Sequence, residues 1–274
     1  TASFNTGVGK NALTANTTGT ENTVIGALAG DALTTGSYNV VVGARALGAD
    51  TLGRRNVAIG RNALLVQNFT SSTDSYNVAI GYDAGAALTT GVRNTIIGGL
   101  AGDAITTGAD NVALGFLSLS ANTTGASNMA LGLTALGTNT TGDFNVAIGY
   151  ATMQDNTTGE RNIAIGATAL GDNTTANDNI AVGHDAMRNN TTGASNVALG
   201  KNALNANTTA SNNTAVGHEA LKLNTTGTRN TIIGTFAGDA LTTGVDNTSL
   251  GYNTLGTETS GGRSVAVGSQ ALAT

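Results

Sequence analysis

Residues 145–149 read Asn-Val-Ala-Ile-Gly, and the same pattern returns as Asn-Ile-Ala-Ile-Gly at 162–166 and Asn-Ile-Ala-Val-Gly at 179–183. Followed in both directions, the five-residue pattern starts at 5, 22, 39, 56, 77, 94, 111, 128, 145, 162, 179, 196, 213, 230, 247 and 264. Every spacing is 17 residues except the step from 56 to 77, which is 21. A fixed period carried through a whole chain is the signature of a repeat architecture, in which each unit buries its apolar face only against its neighbours. No linker or change of composition interrupts the sixteen copies, so residues 1–274 are expected to form a single repeat domain, with both ends falling inside a repeat. The four extra residues fall between 65 and 76 and predict a bulge from an otherwise regular body.

Numbering each repeat from its Asn gives 17 columns with separate chemical demands. Column 1 is Asn in every copy but the last, where Ser264 replaces it, and column 5 is Gly throughout. Columns 2 and 4 hold Val, Ile, Leu, Met or Thr, the residues of a short pleated strand whose alternate side chains share one face. Column 3, mostly Ala, points the other way. A strand that is apolar on both faces is buried on both. Column 8 is Ala or another small residue, and column 9 is Leu or Met except at Gly30, Gly85, Gly102 and Gly238. In those four copies alone column 12 becomes Leu33, Leu88, Ile105 or Leu241, so one large side chain per repeat is retained while its attachment shifts by three residues. A constant interior volume demands that exchange. Elsewhere columns 12–15 are commonly Asn-Thr-Thr-Gly, as at 224–227, which is turn chemistry.

Two short strands and two turns fit into 17 residues, so the expected fold is all-β: a parallel β-solenoid of sixteen 17-residue coils. No 3.6-residue periodicity supports helix, and the complete absence of proline suits a ladder in which successive coils exchange backbone hydrogen bonds. With columns 2 and 4 turned into the coil, column 3 would form an outward apolar stripe too long for a soluble monomer to leave exposed. Ala58, Ile96, Ala113, Ala147, Ala164, Ala181, Ala198 and Ile232 are on this reading the contacts of a closed homo-oligomer.

Composition narrows the function. Charged residues make up 11% of the chain, the net charge is −5, and Lys plus Arg number only 12 without clustering, which argues against nucleic acid as a partner. Cysteine is absent, so neither disulfides nor thiolate metal sites are available. No apolar run approaches the roughly 20 residues of a membrane span, so no membrane insertion of this segment is expected. Catalysis needs a cluster of acid, base and nucleophile that breaks the repeat, and none is visible. His184 and His218 share column 6 but stand two coils, roughly 10 Å, apart, too far to share one metal. We therefore expect no enzyme, no catalytic residue, no metal site and no cofactor.

Column 6 is the most variable position and carries Tyr82, Phe116, Tyr150, His184, His218 and Tyr252. A file of aromatic and titratable groups on a rigid body suits a sugar or a protein receptor. Phe69 in the insertion joins these candidate receptor contacts. Column 17 places Arg93 before Asp110, Arg161 before Asp178 and Arg229 before Asp246, each one coil apart, as expected of register-keeping ion pairs.

Asn-Val-Ala-Ile-Gly at 145–149, Asn-Ile-Ala-Ile-Gly at 162–166 and Ser-Val-Ala-Val-Gly at 264–268 resemble the head repeats of trimeric autotransporter adhesins. The stretch from Asn213 through Leu221 to Gly227 is also similar to repeats of long phage tail-fibre proteins. The resemblance covers all sixteen repeats, although adhesin heads of this type usually have shorter coils. It implies a left-handed β-roll, a homotrimer, and an extracellular place on a bacterial cell surface or virion tail fibre, where the segment attaches multivalently to a surface glycan or protein receptor. Two other functions fit the same fold: an ice-binding solenoid using stacked Thr, and a passive rigid spacer.

Overall fold

The computed structural model describes residues 2–273 and contains β-strands, turns and no helix among them. The chain divides between Thr141 and Gly142 into two compact units. In the first, each repeat contributes one three-residue strand, beginning with Thr6–Val8, Thr23–Ile25 and Val40–Val42 and ending with Met129–Leu131. In the second, the strands run from Val146–Ile148 and Ile163–Ile165 through Ile180–Val182 and Val197–Leu199 to Val265–Val267. Neighbours within a unit pair in parallel with no slip: Ile163, Ala164 and Ile165 face Ile180, Ala181 and Val182. Each unit is thus an all-β parallel solenoid with one 17-residue repeat per coil, as the period predicts.

The expected second strand is absent. Columns 6–11 form a run of turns, yet these turns are laddered from coil to coil: Leu204 N donates to Ala220 O at 3.0 Å and Ala206 N to Lys222 O at 2.9 Å. Columns 7, 9 and 17 adopt left-handed backbone, as at Asn202 (φ 57°), Leu204 (φ 53°) and Arg161 (φ 56°). That tight curling consumes chain without extending it, which is why a 17-residue coil closes around so narrow an interior.

The interior is built from both halves of the repeat. Column 8 Ala and column 9 Leu or Met are fully buried, as at Ala169, Leu170, Ala186 and Met187. Where column 9 is Gly, column 12 fills its space: a Cβ on Gly30 would lie 3.0 Å from Leu33 Cδ1, and one on Gly238 would lie 3.1 Å from Leu241 Cδ1. The volume exchange legible in the sequence is therefore a physical one.

Two asparagine ladders line this interior. In column 1, Asn162 N and Nδ2 donate to Asn145 Oδ1 at 3.0 and 3.2 Å, and the same Nδ2 donates to Ala176 O at 2.8 Å. In column 12, Asn190 Nδ2 donates to Asn173 Oδ1 at 3.2 Å and to Gly193 O at 2.9 Å. Each of these amides bonds one carbonyl of its own coil and the side chain of the equivalent Asn in the neighbouring coil, so a coil removed whole leaves the ladder continuous. Deleting residues 179–195 should leave a folded protein by circular dichroism, with Asn196 taking the place of Asn179. Deleting eight residues inside that coil should unfold the second unit, because both ladders lose register.

The insertion does not project as a simple bulge. Asp50, standing in column 12, is fully buried and accepts from Gly53 N at 2.9 Å and from Gln67 Nε2 at 2.8 Å. Gln67 Oε1 in turn accepts from Asn77 Nδ2 at 2.8 Å, so Asp50 and Gln67 of column 12 are tied to the column 1 ladder through the irregular coil. The backbone amide of Phe69 also donates to the Asp50 carboxylate, drawing the loop inward. Thr73–Asp74 then pairs in parallel with Gly53–Arg54. The tip, Thr70 to Ser72, is exposed, as are Asn68 and Asp74 on either side of it.

Burial pushes the Asp50 carboxyl above its ordinary value of 3.8, against the four hydrogen bonds that lower it. The folded state therefore favours the protonated acid, and this contribution to stability is complete below 3.8 and is lost as pH rises through the folded value. The Arg-paired Asp110, Asp178 and Asp246 are shifted downward and lose their contribution only below 3.8. The urea midpoint should accordingly rise as pH falls from 7 toward 3.8, where Asp50 and Asp103, both raised by burial, take up protons, and Asp50→Asn should reduce that rise. An unchanged slope in the variant would exclude Asp50 as its source.

Candidate interaction surfaces

The strand faces have the opposite parity to that expected. Column 3 points into the coil: Ala58, Ile96, Ala113, Ala147, Ala164, Ala181, Ala198 and Ile232 are all fully buried within their own chain and cannot be the contacts between subunits. The cause is room. Column 3 faces column 9 across the narrow interior, since a Cβ on Gly238 would lie 3.3 Å from Ile232 Cγ2 and one on Gly30 3.4 Å from Val24 Cγ1. With Leu in column 9, Ala is what fits opposite.

Columns 2 and 4 consequently face outward, and none of their side chains is buried among the described residues. In the second unit this face carries Ile163, Ile165, Ile180, Leu199, Ile233, Leu250, Val265 and Val267, all at least 36% exposed. In the first it carries Val8, Ile25, Val40, Met129 and Leu131 at 39% or more. Within each unit the result is an aliphatic file in column 4 beside a column 2 file of Val, Ile, Met and Thr on a parallel sheet, repeating at about 4.8 Å per coil. A partly exposed file that runs from coil to coil through a whole unit is of the kind that marks an interaction surface, unlike the scattered single apolar residues of an ordinary monomer.

The column 6 candidates are surface groups. Tyr82, Phe116, Tyr150 and Tyr252 are 50–58% exposed. Tyr82 packs beside Arg61, whose Cζ lies 5.8 Å from the ring centroid, and His184 Nδ1 lies 2.8 Å from the Asp185 carboxylate. His218 and Tyr252 are brought together through Phe236, a column 7 residue that the sequence reading did not single out. Its ring stands edge-on to His218 at 5.2 Å and to Tyr252 at 6.2 Å. The signal was available, because Phe236 lies one coil from each of them and beside the same column. Phe69 is corrected from a surface position: it is 6% exposed and held inward through Asp50, which removes it from the surface a receptor would meet.

Column 17 forms the expected ion pairs in bidentate geometry. Arg161 Nε and Nη2 reach the Asp178 oxygens at 2.8 and 3.2 Å, and Arg93 and Arg229 grip Asp110 and Asp246 in the same way. Each Arg holds its Asp carboxyl below the ordinary value through these hydrogen bonds. All three pairs are about half exposed to solvent, where such pairs keep register more than they stabilise.

The Thr files do not form a flat two-rank face. Column 13 hydroxyls are committed to the ladder, as Thr191 Oγ1 donates to Thr208 O at 3.0 Å, and only the column 14 Thr, such as Thr192 and Thr209, stand exposed in single file. Among the described residues no group of three or more His, Cys, Asp or Glu could hold a metal ion, and no helix is long and apolar enough to cross a membrane. No protein-family model matches the chain, and no curated protein matches it either.

Proposed function

We propose that the chain is a non-enzymatic segment of a surface fibre, a homotrimer of left-handed β-rolls that attaches its carrier to a target through many weak contacts. The observation that carries this reading is the outward double file of columns 2 and 4, aliphatic in column 4 and Val, Ile, Met or Thr in column 2. A face that repeats every 17 residues is matched along its whole length only by a surface with the same repeat, and the nearest such surface is another copy of the chain. A closed cyclic assembly turns the face of every copy toward one axis and covers it, and the number three comes from the resemblance to adhesin heads. The resemblance to adhesin heads and tail-fibre repeats points the same way. Covering columns 2 and 4 leaves the column 6 file on the outside, where each copy repeats it and avidity multiplies a weak contact. The targets this predicts are a surface glycan or a protein receptor, met outside the cell on a bacterial surface or a virion.

The reading is tested by immobilising the full chain and measuring retention of candidate host cells. Substituting Tyr150, His218 and Tyr252 together by Ser should cut retention at least tenfold without altering fold or assembly. Unchanged retention would leave the segment a spacer, and loss of assembly in the triple variant would place column 6 at the seam between subunits.

A further inference from the structure

Column 17 changes character at one place in the first unit. Elsewhere its Arg residues face Asp, but Arg55 lies between Tyr38 and Tyr76, the residues that precede Asn39 and Asn77. The Arg55 Cζ stands 4.9 Å from the Tyr38 ring centroid and 5.7 Å from that of Tyr76, and Arg54 Cζ stands 5.4 Å from Tyr38. The Asp that these arginines lack in column 17 is supplied by the insertion: Asp74 Oδ1 lies 3.5 Å from Arg54 Nε and 3.2 Å from Arg55 Nε. One carboxylate against two guanidiniums leaves a single local positive charge on a chain whose net charge is −5.

This cluster is built, yet it is only partly buried. Tyr38 and Tyr76 are 38% and 51% exposed, so hydrophobic burial does not account for them. Their left-handed backbone, with φ of 63° and 50° and 61° at Arg55, is that of column 17 in the other coils too and belongs to the fold, so it is the side chains that set this place apart. The pairing of Gly53–Arg54 with Thr73–Asp74, together with Ser75 Oγ donating to Arg54 O at 3.0 Å, holds the arginines in place. Two tyrosine rings and two guanidiniums, held together by the paired insertion and left partly open to solvent with one uncompensated positive charge, mark a place where something binds.

From this geometry we infer that Tyr38, Arg54, Arg55, Asp74 and Tyr76 form a binding site for an anionic saccharide. The ligand's carboxylate or sulfate takes the free N–H groups of the guanidinium pair, and the C–H face of its ring stacks on an open tyrosine face. A single net positive charge suits one acidic group per sugar. It does not suit a polyphosphate or nucleic acid, which the overall negative charge repels. The two tyrosines stand two coils apart, roughly 10 Å, so that successive rings of one oligosaccharide can meet both. The site goes beyond the attachment reading and stands without it, since a monomer would bind the sugar equally.

The test uses the full chain and follows the Tyr38 and Tyr76 ring resonances by NMR. They are titrated with oligogalacturonate, with its neutral methyl ester, with a sulfated heparin disaccharide and with inorganic sulfate. The expected result is saturable perturbation of both rings by at least one acidic saccharide, at least tenfold weaker binding of the methyl ester and of inorganic sulfate, and at least tenfold loss in Arg55→Gln. The carboxylated and sulfated arms distinguish which acid is preferred. Equal binding of the neutral ester, binding of inorganic sulfate as tight as the saccharide, or no perturbation by either acid would overturn the assignment. These arms use the unaltered protein, so misfolding of Arg55→Gln cannot shelter the proposal, and Tyr252→Ala in the second unit should leave the titration unchanged. Host-cell retention in Arg55→Gln separates the two readings, because it can persist when saccharide binding is lost.

Discussion

Ile163→Asp should leave the second unit folded and abolish self-association, whereas Ala164→Asp, one residue along, should prevent that unit from folding. The two side chains lie on opposite faces of one three-residue strand. Ile163 is 38% exposed, so a carboxylate there remains hydrated in the free chain and costs well under ~1 kcal/mol of folding stability. In a covered interface the same carboxylate would lose its water without gaining a partner, a penalty of several kcal/mol set against association. Ala164 is fully buried between Ala147 and Ala181, with no space and no donor to receive a charge. An unpaired carboxylate in that position costs several kcal/mol against folding itself. Far-ultraviolet circular dichroism and urea denaturation read the second effect, and sedimentation velocity the first. Folded, self-associating Ala164→Asp would mean that column 3 faces outward after all.

Gly183→Ala carries the second large effect. Gly183 has φ of 135°, a conformation nearly closed to residues with a Cβ, and an added Cβ would stand 2.6 Å from both C and O of Gly200 in the next coil. The methyl can be relieved only by parting two coils at the ladder, where Gly200 N donates to Val182 O at 2.8 Å. Backbone strain of roughly 1–3 kcal/mol joins the loss of coil contact, so the destabilisation should be at least ~3 kcal/mol. The urea midpoint measures it. A shift under ~1 kcal/mol would show that coils are spaced more loosely than the structure has them. Because column 5 repeats the same contact in every coil, Gly200→Ala should behave alike.

The period, the coil of one repeat and the exchange between columns 9 and 12 were open to reading from the sequence because each is set by recurrence inside the chain. The direction of column 3 was not read correctly, although a clue was present. Val24, Ile96 and Ile232 occupy column 3 in three of the four repeats whose column 9 is Gly. A larger residue where its opposite neighbour shrinks means that the two share one cavity. The reading instead assigned the larger aliphatics to the interior, which holds for wide cores and fails for a coil this narrow. The second strand was misjudged because the left-handed backbone at columns 7 and 9, occupied by residues such as Leu28 and Leu47, has no propensity signal in Leu. The candidate sites divide in the same way. Exposure of column 6 followed from its variation, but Phe69 was misplaced because its tether, Asp50 with Gln67, lies in another column. The Tyr38, Arg55 and Tyr76 stack becomes visible only when the 21-residue coil is folded and brings Asp74 alongside.

The most direct test of the account is the solution mass of the full chain, by light scattering coupled to size exclusion, beside that of Ile163→Asp. With a chain mass of 27.0 kDa, the account predicts three times that value, near 81 kDa, for the unaltered protein and about 27 kDa for the variant. A mass near 27 kDa for the unaltered protein would contradict it, leaving the outward file of columns 2 and 4 open to water and the fibre reading without its support.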